Sequence, residues 1–276
     1  MLFTVAGDLL RQAVRRKWFL ALGFLITLSL VLIGLSLRLD VVDGALAGTR
    51  LFGKLMRGDI VAVDVALRPV FTAATYIIYY GFTMFLILAS ADFAPALLVP
   101  GRIEHMLALP VRRFELLGGT YLGVLALATL AALYGSAGLC VLLGVKTGVW
   151  TFRPVLAALL TAVSFATIYA GMLLSALFVR SAALSAAVGG VLFILGIVAG
   201  QRDHLLIAWQ EGIARTVFAA VTSLLPRVST LGKLAADLAG AEAVSPSSAL
   251  RLIAGFVVFV LATLSLAVWV FERKDY

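Results

Sequence analysis

The chain has 276 residues, 63% hydrophobic and only 13% charged, with a mean hydropathy of +1.10. Soluble domains carry about a quarter charged residues, so an ordinary soluble domain is excluded and an integral membrane protein is indicated. The net charge of +8 does not imply nucleic acid: no aromatic–basic interleaving accompanies it, and basic residues flanking apolar runs follow the positive-inside pattern.

Met1–Lys17 reads as an interfacial amphipathic helix. Ala6, Leu9, Leu10 and Ala13 line one side, with Asp8, Arg11, Gln12, Arg15 and Arg16 around the rest. Ala45-Leu46-Ala47 resembles a signal-peptidase site, but the preceding apolar run, Trp18–Leu37, is 20 residues long. A secretory h-region has roughly 7–15, and Arg38, Asp40 and Asp43 intervene before the site, so the segment is expected to stay attached.

Six charge-free runs follow as expected spans: Trp18–Leu37, Pro69–Ala91, Leu116–Val145, Pro154–Val179, Ser181–Gly200 and Leu252–Phe271. Each has 20 residues or more, enough for roughly 30 Å of hydrocarbon at about 1.5 Å per residue. The expected fold is all-α, one polytopic transmembrane domain over residues 1–276 with six helices. Basic residues are denser on the side that carries both termini, which favours cytoplasmic termini.

Arg38–Arg68 is expected as an outer loop. Within it Gly48–Lys54, GTRLFGK, has the spacing of a phosphate-binding loop, but Leu55 stands where Ser or Thr would hold Mg²⁺. The match is read as chance. Beyond the fifth run, Ala214–Pro226 is apolar but 13 residues long, too short to cross, and is expected as a re-entrant or interfacial helix on the outer side.

The spans contain no Asp, Glu, Lys, Arg or His. Ion-coupled carriers and proton pumps place an ionisable group at depth, so any transport here is expected to be powered elsewhere. Arg68, Arg153, Arg180 and Arg251 sit at span ends, where snorkelling accounts for them. His105 and His204 fall in opposite loops, so no metal site is expected. Gly135-Ser136-Ala137-Gly138 would be the nucleophile region of an intramembrane serine protease, but no His lies beside it within the membrane. The single Cys140 is read as a small packing residue. Gly119-x-x-x-Gly123 and Gly196-x-x-x-Gly200 permit close helix approach, within one bundle or between two chains.

The segment Pro100–Gly123, PGRIEHMLALPVRRFELLGGTYLG, stands apart. Pro100 suits a first helical turn. Ile103, Met106 and Leu107 share one face, Arg102, Glu104 and His105 take the other, and Pro110 ends the helix after about two turns. So short a helix is unstable alone in water and needs a surface to lie on, either lipid or protein. Arg112 and Arg113 follow, then Glu115 and the third charge-free run.

This segment resembles the cytoplasmic segment of type-2 ABC-transporter permeases, in which G-T-x-E-x-L-L-x-x-P-x-x-R-x-x-x-x-x-G-K follows the second span. Gly101, Glu104, Leu107, Pro110 and Arg113 match, while Arg102 and Met106 depart from Thr and Leu. Size and layout are most similar to the permeases that accompany nitrous-oxide-reductase maturation. The resemblance implies a bacterial inner-membrane permease subunit, an exporter and not itself an enzyme. It would pair with a second permease copy, identical or not. ATP and Mg would be bound by separate ATP-binding subunits, docked through a coupling helix at Gly101–Leu109 with Pro110, Arg112, Arg113 and Glu115. Hydroxyls available to a cargo are Thr75, Tyr76, Tyr79, Tyr80, Ser164, Thr167 and Tyr169, all equally suited to helix packing. The alternative is a membrane scaffold or assembly factor that recruits a cytoplasmic partner through the same helix without moving cargo.

Overall fold

The computed structural model describes residues 17–42, 45–51, 54–57, 61–99, 112–208 and 212–274, together with Gly7, Gly101 and Ile103. The first apolar run forms helix α1, Lys17–Ser36, of 20 residues. Its expected amphipathic lead-in, Met1–Lys17, lies almost entirely outside the described residues.

The expected outer loop is structured. Strands β1 (Leu37–Val42), β2 (Ala45–Leu51), β3 (Lys54–Arg57) and β4 (Val61–Ala62) form an antiparallel sheet in which β2 pairs with all three others. Outside this one small sheet the described residues fold as helices, as expected of an all-α chain. The cause of the sheet is visible in Leu37-Arg38-Leu39-Asp40-Val41, an apolar–polar alternation of period two. Gly48–Leu51 belong to β2 and Lys54 to β3, with Leu51 opposite Lys54. GTRLFGK is therefore a hairpin, not a strand–loop–helix phosphate cradle.

The second run becomes α2 (Val63–Ile77), a π-helical turn (Ile78–Phe82), α3 (Thr83–Ser90) and α4 (Phe93–Leu97). Then come α5 (Arg113–Thr147), α6 (Arg153–Phe178) and α7 (Ala182–Gly200). Next are α8 (Arg202–Ala208), α9 (Ile213–Leu224), α10 (Val228–Ala239) and α11 (Pro246–Arg273). Their ends follow local chemistry. Gly148, at φ 74°, takes the left-handed C-cap of α5. Pro154 opens α6, where a missing N–H costs nothing. The Ser181 side chain accepts from the Leu184 N–H at the start of α7.

Among the described residues, five helical segments are long and apolar enough to cross a membrane: Leu67–Leu97, Arg113–Thr147, Arg153–Phe178, Ala182–Gly200 and Pro246–Arg273. The architecture is helical and multi-pass. Helix α6 is its centre, with Phe165, Tyr169 and Met172 wholly buried, and α5, α7, α10 and α11 packed around it. Helix α1 lies on α5 through small residues. A Cβ added to Gly135 or Gly138 would meet Ile26 or Leu30, and one added to Gly34 would meet Leu142. The GSAG sequence is thus a groove for α1.

The short apolar stretch expected at Ala214–Pro226 is α9, and among its described side chains only Thr222 is buried. Leu225–Arg227 then lead into α10. Helix α10 buries Leu231, Gly232, Ala235, Ala236 and Ala239 against α6, α2 and α7. Gly196 and Gly200 serve this contact. A Cβ on Gly196 would run into Val228 and one on Gly200 into Ser229. Ser229 Oγ also donates to the Ile197 carbonyl at 2.9 Å. The second small-residue motif is therefore spent within the chain.

Candidate partner-docking segment

Helix α5 starts where the expected coupling segment ends. The Arg112 backbone N–H donates to Glu115 Oε2 at 3.1 Å, satisfying one of the amides left over at a helix N-terminus. Arg113, next in line, reaches across the bundle. Its Nη1 donates toward the carbonyls of Phe271 (3.0 Å), Glu272 (3.1 Å) and Lys274 (2.8 Å). Its guanidinium also lies 6.0 Å from the centre of the Phe271 ring. The last carbonyls of α11 have no intrahelical partner and form the negative pole of that helix, so a guanidinium is well matched there.

Lys274 repeats the device one helix further on. Its Nζ donates to the carbonyl of Leu177, at the end of α6, and lies 5.2 Å from the Phe178 ring centre. The start of α5 and the ends of α6 and α11 are thus joined at one end of the bundle. At the opposite end, Lys146 donates to the Gly34 carbonyl, tying α5 to the end of α1. Sequence reasoning assigned Arg113 and Glu115 to a partner-facing group; both have ligands within the chain. Lys274 and Lys146 went unnoticed. Lys146 does stand in the last turn of α5, where a cation is expected to act on carbonyls.

Of the remaining segment, Gly101 is exposed with φ 81°, a left-handed conformation that glycine adopts without penalty. Ile103 is helical and only 2% exposed. It joins the core of its own bundle, and its N–H donates to Val99 O at 3.2 Å. Ile103 therefore packs on its own bundle. Arg102, Glu104, His105, Met106, Leu107 and Pro110 lie outside the described residues. Arg153 and Arg180 are exposed at helix ends, and Arg68 and Arg251 are exposed in the second turns of α2 and α11.

The hydroxyls suggested for a cargo path are mostly core residues. Thr75, Tyr79, Ser164, Thr167 and Tyr169 are buried. Tyr79 OH donates to Val228 O at 2.8 Å, fastening α10 to the π-helical turn, and Tyr121 OH donates to Ala166 O at 3.1 Å. Tyr169 stacks between Tyr121 and Phe165, at centroid distances of 6.1 and 5.8 Å. Three buried oxygens, Thr83 Oγ1, Ser164 Oγ and Tyr169 OH, have no hydrogen-bond partner among the described residues.

No protein-family model matches the chain, and no curated protein matches it. The class is therefore defined by composition and architecture: a helical, multi-pass membrane protein.

Proposed function

We propose that the chain is the permease subunit of an ATP-driven ABC transporter of the type-2 class, acting as an exporter in a bacterial inner membrane. In this reading α1 is the first of six spans, both termini are cytoplasmic, and the sheet and the α9–α10 pair lie outside. The observation that carries it is mechanical. The Gly101–Leu109 segment runs directly into Arg112–Glu115, and Arg113 and Lys274 couple the start of α5 to the ends of α11 and α6. A displacement applied by a partner at the start of α5 would reach three spans through these contacts. Spans without ionisable groups agree with a motor outside the chain, since ion coupling places a charge at depth.

ATP and Mg would be held by partner subunits docked on this segment, and a second permease copy would complete the transporter. A short amphipathic helix docks through apolar anchors, with charges at the rim that set the partner. Here those are Met106 and Leu107, with Arg102, Glu104 and His105. The test is affinity purification of the chain from its native membrane with each of two variants. Leu107→Asp should abolish recovery of an ATP-binding subunit, and Glu104→Ala should weaken it. Unchanged recovery in both would remove the docking role. Recovery of a cytoplasmic partner without nucleotide hydrolysis would favour the scaffold reading.

A further inference from the structure

Between the α9–α10 link and α11 lies a cavity of about 670 Å³, within the 300–1,000 Å³ range of ligand pockets. Its charged lining is unequal: Arg227, Lys233 and Arg251 against Asp237. Arg227 stands just before α10, and from α10 itself come Thr230, Lys233 and Asp237, a spacing that keeps these three on one helix face. From α11 the lining changes along the helix, with Ser248 and Arg251 near its start and Leu252, Phe256 and Phe259 further in. Arg227 is 3.9 Å from the exposed carboxylate of Asp203, which leaves Arg251 and Lys233 to face a ligand, Lys233 with the Asp237 carboxylate acting on it from four residues on along the same helix face.

The polarity gradient along α11 runs as a bilayer does, from a charged interface to hydrocarbon. One lip of the cavity is apolar and open: Leu224 is 78% exposed there. A free anion would use the cations and leave the half-buried Leu252 and Phe259 against water. An acyl chain would cover them and leave the cavity past Leu224.

We infer that this cavity binds a membrane phospholipid with an anionic headgroup, the phosphate meeting Lys233 and Arg251 and an acyl chain lying along Leu252 and Phe259. The site is separate from the partner-docking segment and stands whether or not the chain moves a cargo.

Thermal unfolding of the full chain in neutral detergent tests this, with dioleoyl phosphatidylglycerol, dioleoyl phosphatidylcholine or inorganic phosphate added. Phosphatidylglycerol should raise Tm by several degrees, and the other two should leave it nearly unchanged. The Lys233→Ala/Arg251→Ala double variant, altered only at exposed side chains, should keep the lipid-free Tm and lose the shift. Gly255→Phe should lose it with every charge retained, because a Cβ at Gly255 meets nothing within 4 Å and the ring can enter the cavity. An equal shift with inorganic phosphate would reduce the site to an anion site. An equal shift with phosphatidylcholine would remove headgroup recognition. No shift with any, or a full shift in the double variant, would overturn the proposal.

Discussion

Arg113 shows how one basic side chain at a span end can act inside the molecule. Snorkelling would place such a guanidinium in water or among headgroups; here it meets three main-chain carbonyls of another helix. Charge-assisted hydrogen bonds contribute about 1.5–3 kcal/mol, and partial exposure of Arg113 sets the expectation at the lower end. Arg113→Ala should destabilise the folded chain by about 1–2 kcal/mol, measured by chemical unfolding in micelles. Arg113→Lys should recover only part, having lost the planar fork. The unpartnered hydroxyls predict the opposite sign. Thr83 Oγ1 has been desolvated without a hydrogen bond, and removing an unsatisfied group while keeping its shape is neutral or stabilising. Thr83→Val should therefore raise stability, by up to about 1 kcal/mol. A loss of more than that would mean the hydroxyl is satisfied in the membrane.

Helix α10 is the element on which the distal half of the bundle closes, and its sequence hid it. Val228–Ala239, VSTLGKLAADLA, mixes small residues with Lys233 and Asp237, and hydropathy gives it little weight. Its burial comes from smallness: Gly232, Ala235 and Ala236 let α2, α6 and α7 approach. The same applies at Gly200, where Thr230 Oγ1 donates to the carbonyl at 3.3 Å and the Ser229 side chain fills the space of a Cβ. Gly200→Leu should push α10 off α7. Overpacking of this kind costs about 1–3 kcal/mol, and the signature would be faster proteolysis at the α9–α10 turn. Gly190, with nothing within 4 Å of its Cβ position, is the matched control and should tolerate Ala. The long spans were legible because unbroken apolarity over 20 residues has few other meanings. The β1–β2 hairpin was legible in principle from its period of two, but its charges drew it into a loop assignment. The Arg113 contact was not legible, since 158 residues separate it from Phe271 and no local pattern encodes such a pairing.

For the molecule as a whole, the cation–carbonyl ties fix which helix ends lie together. Arg113 and Lys274 gather the start of α5 and the ends of α6 and α11 at one end. Lys146 joins the end of α5 to the end of α1 at the other. Chain direction then alternates from α5 to α6 to α7, and α11 ends where α5 began. With α9 and α10 at 12 residues each, or about 18 Å as helices, neither reaches across roughly 30 Å of hydrocarbon. The number of crossings is therefore expected to be even, with the two termini on the same side. Cys140 makes this measurable, because the only cysteine of the chain is 5% exposed and should stay silent to aqueous reagents. Single cysteines at Asp43 and Ser247 should react with a membrane-impermeant maleimide in intact cells. Those at Asp8 and Tyr276 should react only after the membrane is opened. Reaction of the Tyr276→Cys variant in intact cells, with Asp8→Cys still protected, would make the count odd. One of the two short helices would then have to cross, or α1 would have to lie flat, and the sixfold span assignment would fall with it.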